Sequence, residues 1–140
     1  MHLQKDARLS LRELGRILEV PHTTVFTRVN KLISRGIIQK FQAVLHPHDL
    51  GFKVNMVIIE APQNKDDNIA EQISELGQVM KVFRSDAGKI FVKALSDPTE
   101  TDPMKAIESR LYGYDYVIHE IEQVVKYDHD LNDDLIKRMD

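Results

Sequence analysis

Apolar residues recur at helical spacing in two neighbouring stretches near the start of the chain, and the pattern then changes to the alternation of strands. In Pro21 to Gly36, Val25, Val29 and Leu32 mark an inner stripe, with Phe26 and Ile33 beside it. At about 100° per residue, Thr23, Thr24, Thr27 and Lys31 fall on the opposite side and Arg28 on its flank. Pro21 favours a helix start and Gly36 a stop. Just upstream, Ser10 and Glu13 form a capping box, and Leu11, Leu14, Ile17 and Leu18 line the inside of a shorter helix. Only Glu19 and Val20 separate the two. Short helices joined by a tight turn, the second carrying small polar and basic side chains, read as a helix-turn-helix.

The rest of the chain supplies strands. Lys40 to Leu45 is β-prone, and a strand or small hairpin there would make the motif winged. His46 to Gly51, punctuated by Pro47 and Gly51, reads as a hinge. Val54 to Glu60 is predicted as a strand and Asp67 to Leu76 as a helix with Ile69, Ile73 and Leu76 inward. Val79 to Phe83 and Ile90 to Leu95 are strands around the turn Ser85 to Gly88. Met104 to Tyr112 is a helix, and Tyr116 to Val125 a last strand with Val117, His119, Ile121, Gln123 and Val125 on one face. The order β-α-β-β-α-β is the ferredoxin-like unit. Its sheet carries helices on one face only, so Met56, Ile58 and their neighbours on the other face call for a second subunit. The tail, Tyr127 to Asp140, is polar but has a short helical pattern in Leu131, Leu135 and Ile136. The expected organisation is α+β: a winged helix-turn-helix over residues 1–45, a hinge over 46–52, a ferredoxin-like domain over 53–126 and a tail over 127–140.

Charge changes the picture. The 140 residues carry a net charge of −3, which argues against a nucleic-acid partner until its distribution is considered. Through Phe52 there are eight bases against four acids, and beyond it eleven bases against eighteen acids. No Asp or Glu occurs from Pro21 through Gln42, where a merely solvated helix face would mix both signs. Phosphate-facing surfaces exclude acids because each one repels the backbone. The candidate DNA contacts are therefore His22, Thr23, Thr24, Thr27, Arg28, Lys31 and Arg35. With no cysteine and no apolar run long enough to span a bilayer, a soluble cytoplasmic protein without thiolate chemistry is expected, with no membrane partner.

Other chemistry is thin. His46, His48 and the run Asp128-His129-Asp130 hold imidazoles and carboxylates, but at no established metal-ligand spacing. No nucleophile elbow, phosphate loop or dinucleotide fingerprint occurs, so no catalytic residue, metal or cofactor is assigned.

The string Leu9-Ser10, Glu13-Leu14, Thr23, Val25, Arg28-Val29, Leu32, Gly36-Ile37-Ile38, Ala43, Pro47 and Leu50-Gly51, followed by the β-α-β-β-α-β order, resembles the Lrp/AsnC or feast/famine family. The resemblance implies a transcriptional regulator that binds double-stranded DNA, dimerises through its sheet domain and assembles dimers into octamers. It also implies a small effector, commonly an amino acid, bound between subunits near the loop Ser85, Asp86, Ala87, Gly88 and Lys89. The sequence departs from that family twice. Its first helix is nearly absent, so the DNA-binding part reads as truncated. The family's Gly-Asp-Tyr-Asp-like loop here reads Asp86-Ala87-Gly88-Lys89, with Gly88 expected to supply the positive φ. Lys89 in place of an acid should favour a carboxylate or other anion over an ammonium. Two other readings stay open: an effector-binding or assembly protein that has lost DNA binding, and an enzyme resembling small tetrapyrrole decarboxylases, with His119 and Arg84 as its candidates.

Overall fold

A computed structural model describes residues 2–61, 68–126 and 131. The chain divides into two compact units, residues 1–44 with 126–140, and residues 45–125.

In the first unit, α1 (His2–Lys5) is a single turn, α2 spans Leu11–Ile17 and α3 spans His22–Ser34. The capping box at the start of α2 is complete. The Ser10 N–H donates to Glu13 Oε2 at 2.7 Å, and the Glu13 N–H donates to Ser10 Oγ at 3.2 Å. The Ser10 N–H, and after it the Ser10 hydroxyl, favour the Glu13 carboxylate and hold its pKa below the ordinary glutamate range. Among the described residues of this unit, the buried apolar side chains are Leu14 and Val25.

Both helices end alike. Past α3, Gly36 adopts φ +69°; its N–H donates to Ile33 O at 2.9 Å and that of Ile37 to Leu32 O at 2.9 Å. Past α2, Glu19 adopts φ +51°, with its N–H donating to Arg16 O at 3.3 Å and that of Val20 to Gly15 O at 2.9 Å. These are two Schellman closures, one with the expected glycine and one with a glutamate in its place. The closure at Glu19 sets the turn from α2 into α3 within four residues.

The second unit begins with a 3₁₀ turn, His48–Leu50, closed by Gly51 at φ +86°. It contains β1 (Lys53–Glu60), α4 (Ile69–Ser74), β2 (Val79–Arg84), β3 (Lys89–Ser96), α5 (Lys105–Glu108) and β4 (Tyr116–Glu120). The four antiparallel strands are ordered β2-β3-β1-β4. That is the ferredoxin-like arrangement the element order predicts. Alternation decides the faces. Val57, Ile59, Ile90, Val92 and Ala94 are fully buried against Ile69, Ile73, Ile107 and Leu111. The opposite face carries a cross-strand row, Phe83–Phe91–Ile58–Val117, running from one edge of the sheet to the other. Phe83 and Val117 at its ends are each about half exposed.

Several expectations are corrected. Residues 39–46 hold no strand, because the ladder needs a partner and the described residues offer none. The helix expected over Met104 to Tyr112 is α only over Lys105–Glu108, since short i→i+3 bonds replace the α pattern at Arg110 and Leu111. The last strand stops at Glu120, five residues before Val125, where its pairing with β1 ends opposite Asn55. The helix from Asp67 begins at Ile69, and Asp67 itself lies outside the described residues. So do Asp128, His129 and Asp130, and the tail pattern apart from Leu131.

Candidate nucleic-acid interface

The face of α3 that carries Thr23, Thr27, Lys31 and Ser34 is exposed along its length. Val25 anchors the opposite side and Val29 and Leu32 are half buried, so helical period alone turns the polar side chains outward. Thr24 is half buried beside them. The Thr27 hydroxyl donates to the Thr23 carbonyl at 3.1 Å, which leaves its oxygen to act as an acceptor. Arg35 is the C-cap residue of α3, and its backbone N–H donates to Lys31 O.

Two further groups belong to this surface. Asn30 is exposed and, at 100° per residue, projects about 20° from Thr23, on the side away from Thr27; its amide is the side chain that matches the N6 and N7 edge of adenine. Arg12 and Arg16, one turn apart on α2, line an open cleft together with His22 at the first residue of α3. Their i, i+4 spacing opposite the Leu14 stripe was the available signal. Arg28 lies differently, lining an apolar groove with Val29 and Leu32 rather than the threonine face.

The turn that aims α3 leaves no slack. A Cβ built on Gly15 would lie 2.8 Å from the Val20 carbonyl oxygen.

In the second unit, the loop Ser85 to Lys89 is a closed turn. The Ser85 N–H donates to Lys89 O at 2.8 Å, and the Lys89 N–H donates to Ser85 Oγ at 3.1 Å. Gly88 takes φ +72°, and its carbonyl accepts the Ala61 N–H at 2.8 Å. Lys89 Nζ lies 2.8 Å from Glu60 Oε1, so the cation the sequence singles out is paired across the strands. Arg84 pairs with Glu71 at 3.3 Å. Arg84 on β2 and His119 on β4 sit on opposite edge strands, so the sheet does not bring these two candidates together. At the hinge, His46 and His48 have ring centroids 5.7 Å apart and His46 Nδ1 lies 3.4 Å from Asp49 Oδ2. Among the described residues no three His, Asp or Glu side chains are grouped to hold a metal. No helix among them is long and apolar enough to cross a membrane.

A helix-turn-helix joined in sequence to a ferredoxin-like unit defines the class, and comparisons with known proteins agree. Residues 2–39 match the family described as winged helix-turn-helix DNA-binding. An uncharacterised HTH-type transcriptional regulator of Pyrococcus furiosus is 42% identical over 78 residues, 55% of this chain and 53% of that protein. This chain thus spans about half the length of such curated relatives. One from Pyrococcus abyssi is 30% identical over 117 residues, covering 78% of this chain and 72% of its own. Among solved structures, an AsnC-family transcriptional regulatory protein of P. furiosus superposes with a TM-score of 0.66 at 26% identity, over 89% of this chain and 86% of that one. The feast or famine regulatory protein of M. tuberculosis, solved in complex with L-methionine, shares the fold with a TM-score of 0.79 at 19% identity, over 93% and 91%. The chain belongs to the Lrp/AsnC family.

Proposed function

We propose that this protein is a sequence-specific transcriptional regulator that binds double-stranded DNA in the cytoplasm. The observation that carries this reading is the exposed, acid-free face of α3, held on a turn with no room for a Cβ at Gly15. Thr23, Thr24, Thr27, Asn30 and Lys31 read base edges in the major groove, while Arg12, Arg16, His22 and Arg35 meet phosphates and Arg28 stays on the flank. Two copies act together. The row Phe83–Phe91–Ile58–Val117 is the surface on which they pair, and dimers assemble further into octamers. Pairing supplies two recognition helices, which suits a two-fold symmetric operator.

The loop Ser85 to Lys89 is the proposed effector site, placed at a junction between subunits. The regulator from M. tuberculosis was solved with L-methionine, which supports an amino acid or related metabolite as the class of ligand. Lys89 and Glu60 offer both signs there. Their side chains are roughly half exposed, and exposed pairs of this kind contribute only about 0–1 kcal/mol. A ligand carboxylate can therefore draw Lys89 away at little cost.

The test is selection of bound duplexes from a random pool, followed by salt titration of the enriched sequence. Enrichment of one motif, with affinity falling linearly in log salt, is the expected result. No retained duplex even at low salt would favour an effector-binding or assembly protein that does not bind DNA. Calorimetry against the common amino acids then tests the loop.

A further inference from the structure

Among the described residues of the first unit, the buried apolar side chains are Leu14 and Val25, and both stand in the wall of a groove of about 610 Å³. Leu3, Leu18, Leu32, Ile37 and Phe41 also line it. Leu18, Ile37 and Phe41 are each 42–51% exposed, a large apolar exposure for so small a unit. The groove is separate from the threonine face of α3, which points the other way along the same helix.

The charged part of the lining has one sign. Among the described residues that form it there is no Asp or Glu, whereas Arg28 and Lys40 are both present. Neither cation has an ion-pair partner among the described residues. Both are exposed, so positive charge gathers on the solvent side of an apolar lining. The chemistry complementary to such a surface is an apolar body with an anionic head. A guanidinium fork suits a carboxylate in particular, since two parallel N–H groups can meet its two oxygens.

We propose that this groove binds a single alkyl chain ending in a carboxylate, a free fatty acid, with the chain along Leu18, Ile37 and Phe41 and the head between Arg28 and Lys40. Its volume falls in the range of about 300–1,000 Å³ typical of small-molecule sites. A peptide helix is about 10–12 Å across with its side chains, so the same volume admits only about one turn of it. An alkyl chain also brings no backbone amides that the apolar wall would leave unpaired. The site is distinct from the loop Ser85 to Lys89 and stands whether or not the unit binds DNA.

The chain has no tryptophan, so one indole placed in the groove reports on it alone. In the full-length protein, Phe41→Trp is titrated with sodium dodecanoate below its micelle-forming concentration. Tyr112→Trp is the control, since Tyr112 is 95% exposed on the second unit. Emission from position 41 should shift to the blue and saturate at one dodecanoate per chain, while the control stays still. Ile37→Trp, in the same wall, should report the same transition independently. Decanoate, two methylenes shorter, should bind about fifteenfold more weakly, at about fourfold for each methylene. Arg28→Gln with Lys40→Gln should weaken dodecanoate by about threefold to tenfold and leave dodecanol unchanged.

No saturable shift from either groove reporter, or an equal shift from the control, overturns the proposal. A shift that needs phosphatidylglycerol vesicles and is absent with monomeric dodecanoate would assign the groove to a membrane surface instead. Emission already blue without ligand would assign it to protein, a second copy if dilution reverses the shift and this chain itself if dilution does not; either refutes the fatty-acid site.

Discussion

Gly15 and Val20 meet twice across the turn between α2 and α3. The Val20 N–H donates to the Gly15 carbonyl at 2.9 Å, and the Val20 carbonyl oxygen lies 2.8 Å from where a Gly15 Cβ would stand. Both contacts are with backbone, which cannot step aside as a flexible side chain can. The angle at which α3 leaves α2 therefore depends on a missing methyl group.

Gly15→Ala sets two effects against each other. Helix propensity favours alanine by about 1 kcal/mol. Overpacking against a fixed carbonyl costs about 1–3 kcal/mol. The clash should win, lowering the unfolding free energy and weakening DNA binding by displacing α3. Thermal unfolding and a binding titration on the same variant check it.

Glu19 holds a left-handed backbone with φ +51°, a conformation that costs a non-glycine residue about 1–2 kcal/mol. Glu19→Gly removes that strain but enlarges the unfolded ensemble by about 0.4–1 kcal/mol. The expected outcome is a net gain of about 0.8 kcal/mol, the difference between the midpoints of those two ranges. It should be read as a higher denaturant midpoint at unchanged slope.

On the recognition face, Asn30→Ala or Lys31→Ala should cost about 1–3 kcal/mol on the preferred operator and far less on unrelated duplexes. Arg16→Ala should weaken all duplexes alike and reduce the salt slope by about one. Fluorescence anisotropy at several salt concentrations separates the two. Equal losses on every sequence from all three changes would remove the division of labour.

Phe83→Ala on the open sheet face should break the proposed dimer without unfolding its subunits, because Phe83 is about half exposed in the single chain. Loss of one buried aromatic is worth about 1.5–3 kcal/mol, and two-fold symmetry counts it twice. The dissociation constant should rise by about two to four orders of magnitude. Sedimentation equilibrium measures it.

The capping box makes α2 acid-sensitive. The hydrogen bonds from Ser10 depress the Glu13 pKa, so their contribution is fully present above the ordinary glutamate value and is lost as pH falls through the lower folded one. Glu13→Gln, which removes the titrating carboxylate itself, should shrink the difference in thermal midpoint between neutral and acidic buffer relative to the parent. An identical pH profile for both proteins would remove the capping box as its cause.

The sequence by itself determined those features that rest on neighbours in the chain. The capping box of Ser10 and Glu13, the stop at Gly36, the positive φ of Gly88 and the order of strands and helices all follow from period, cap and turn chemistry acting within a few residues. The outward face of α3 was legible for the same reason, since Val25 and Leu32 fix which side is buried. Tertiary structure decided what depends on residues distant in the chain. Lys89 reads in sequence as a cation facing a ligand, and only the β1–β3 register sets it beside Glu60. Arg84 and His119 look like a possible pair until the strand order places them on opposite edges. The β-prone stretch from Lys40 to Leu45 forms no strand, because a strand is a relation between two segments and no local propensity can supply the second.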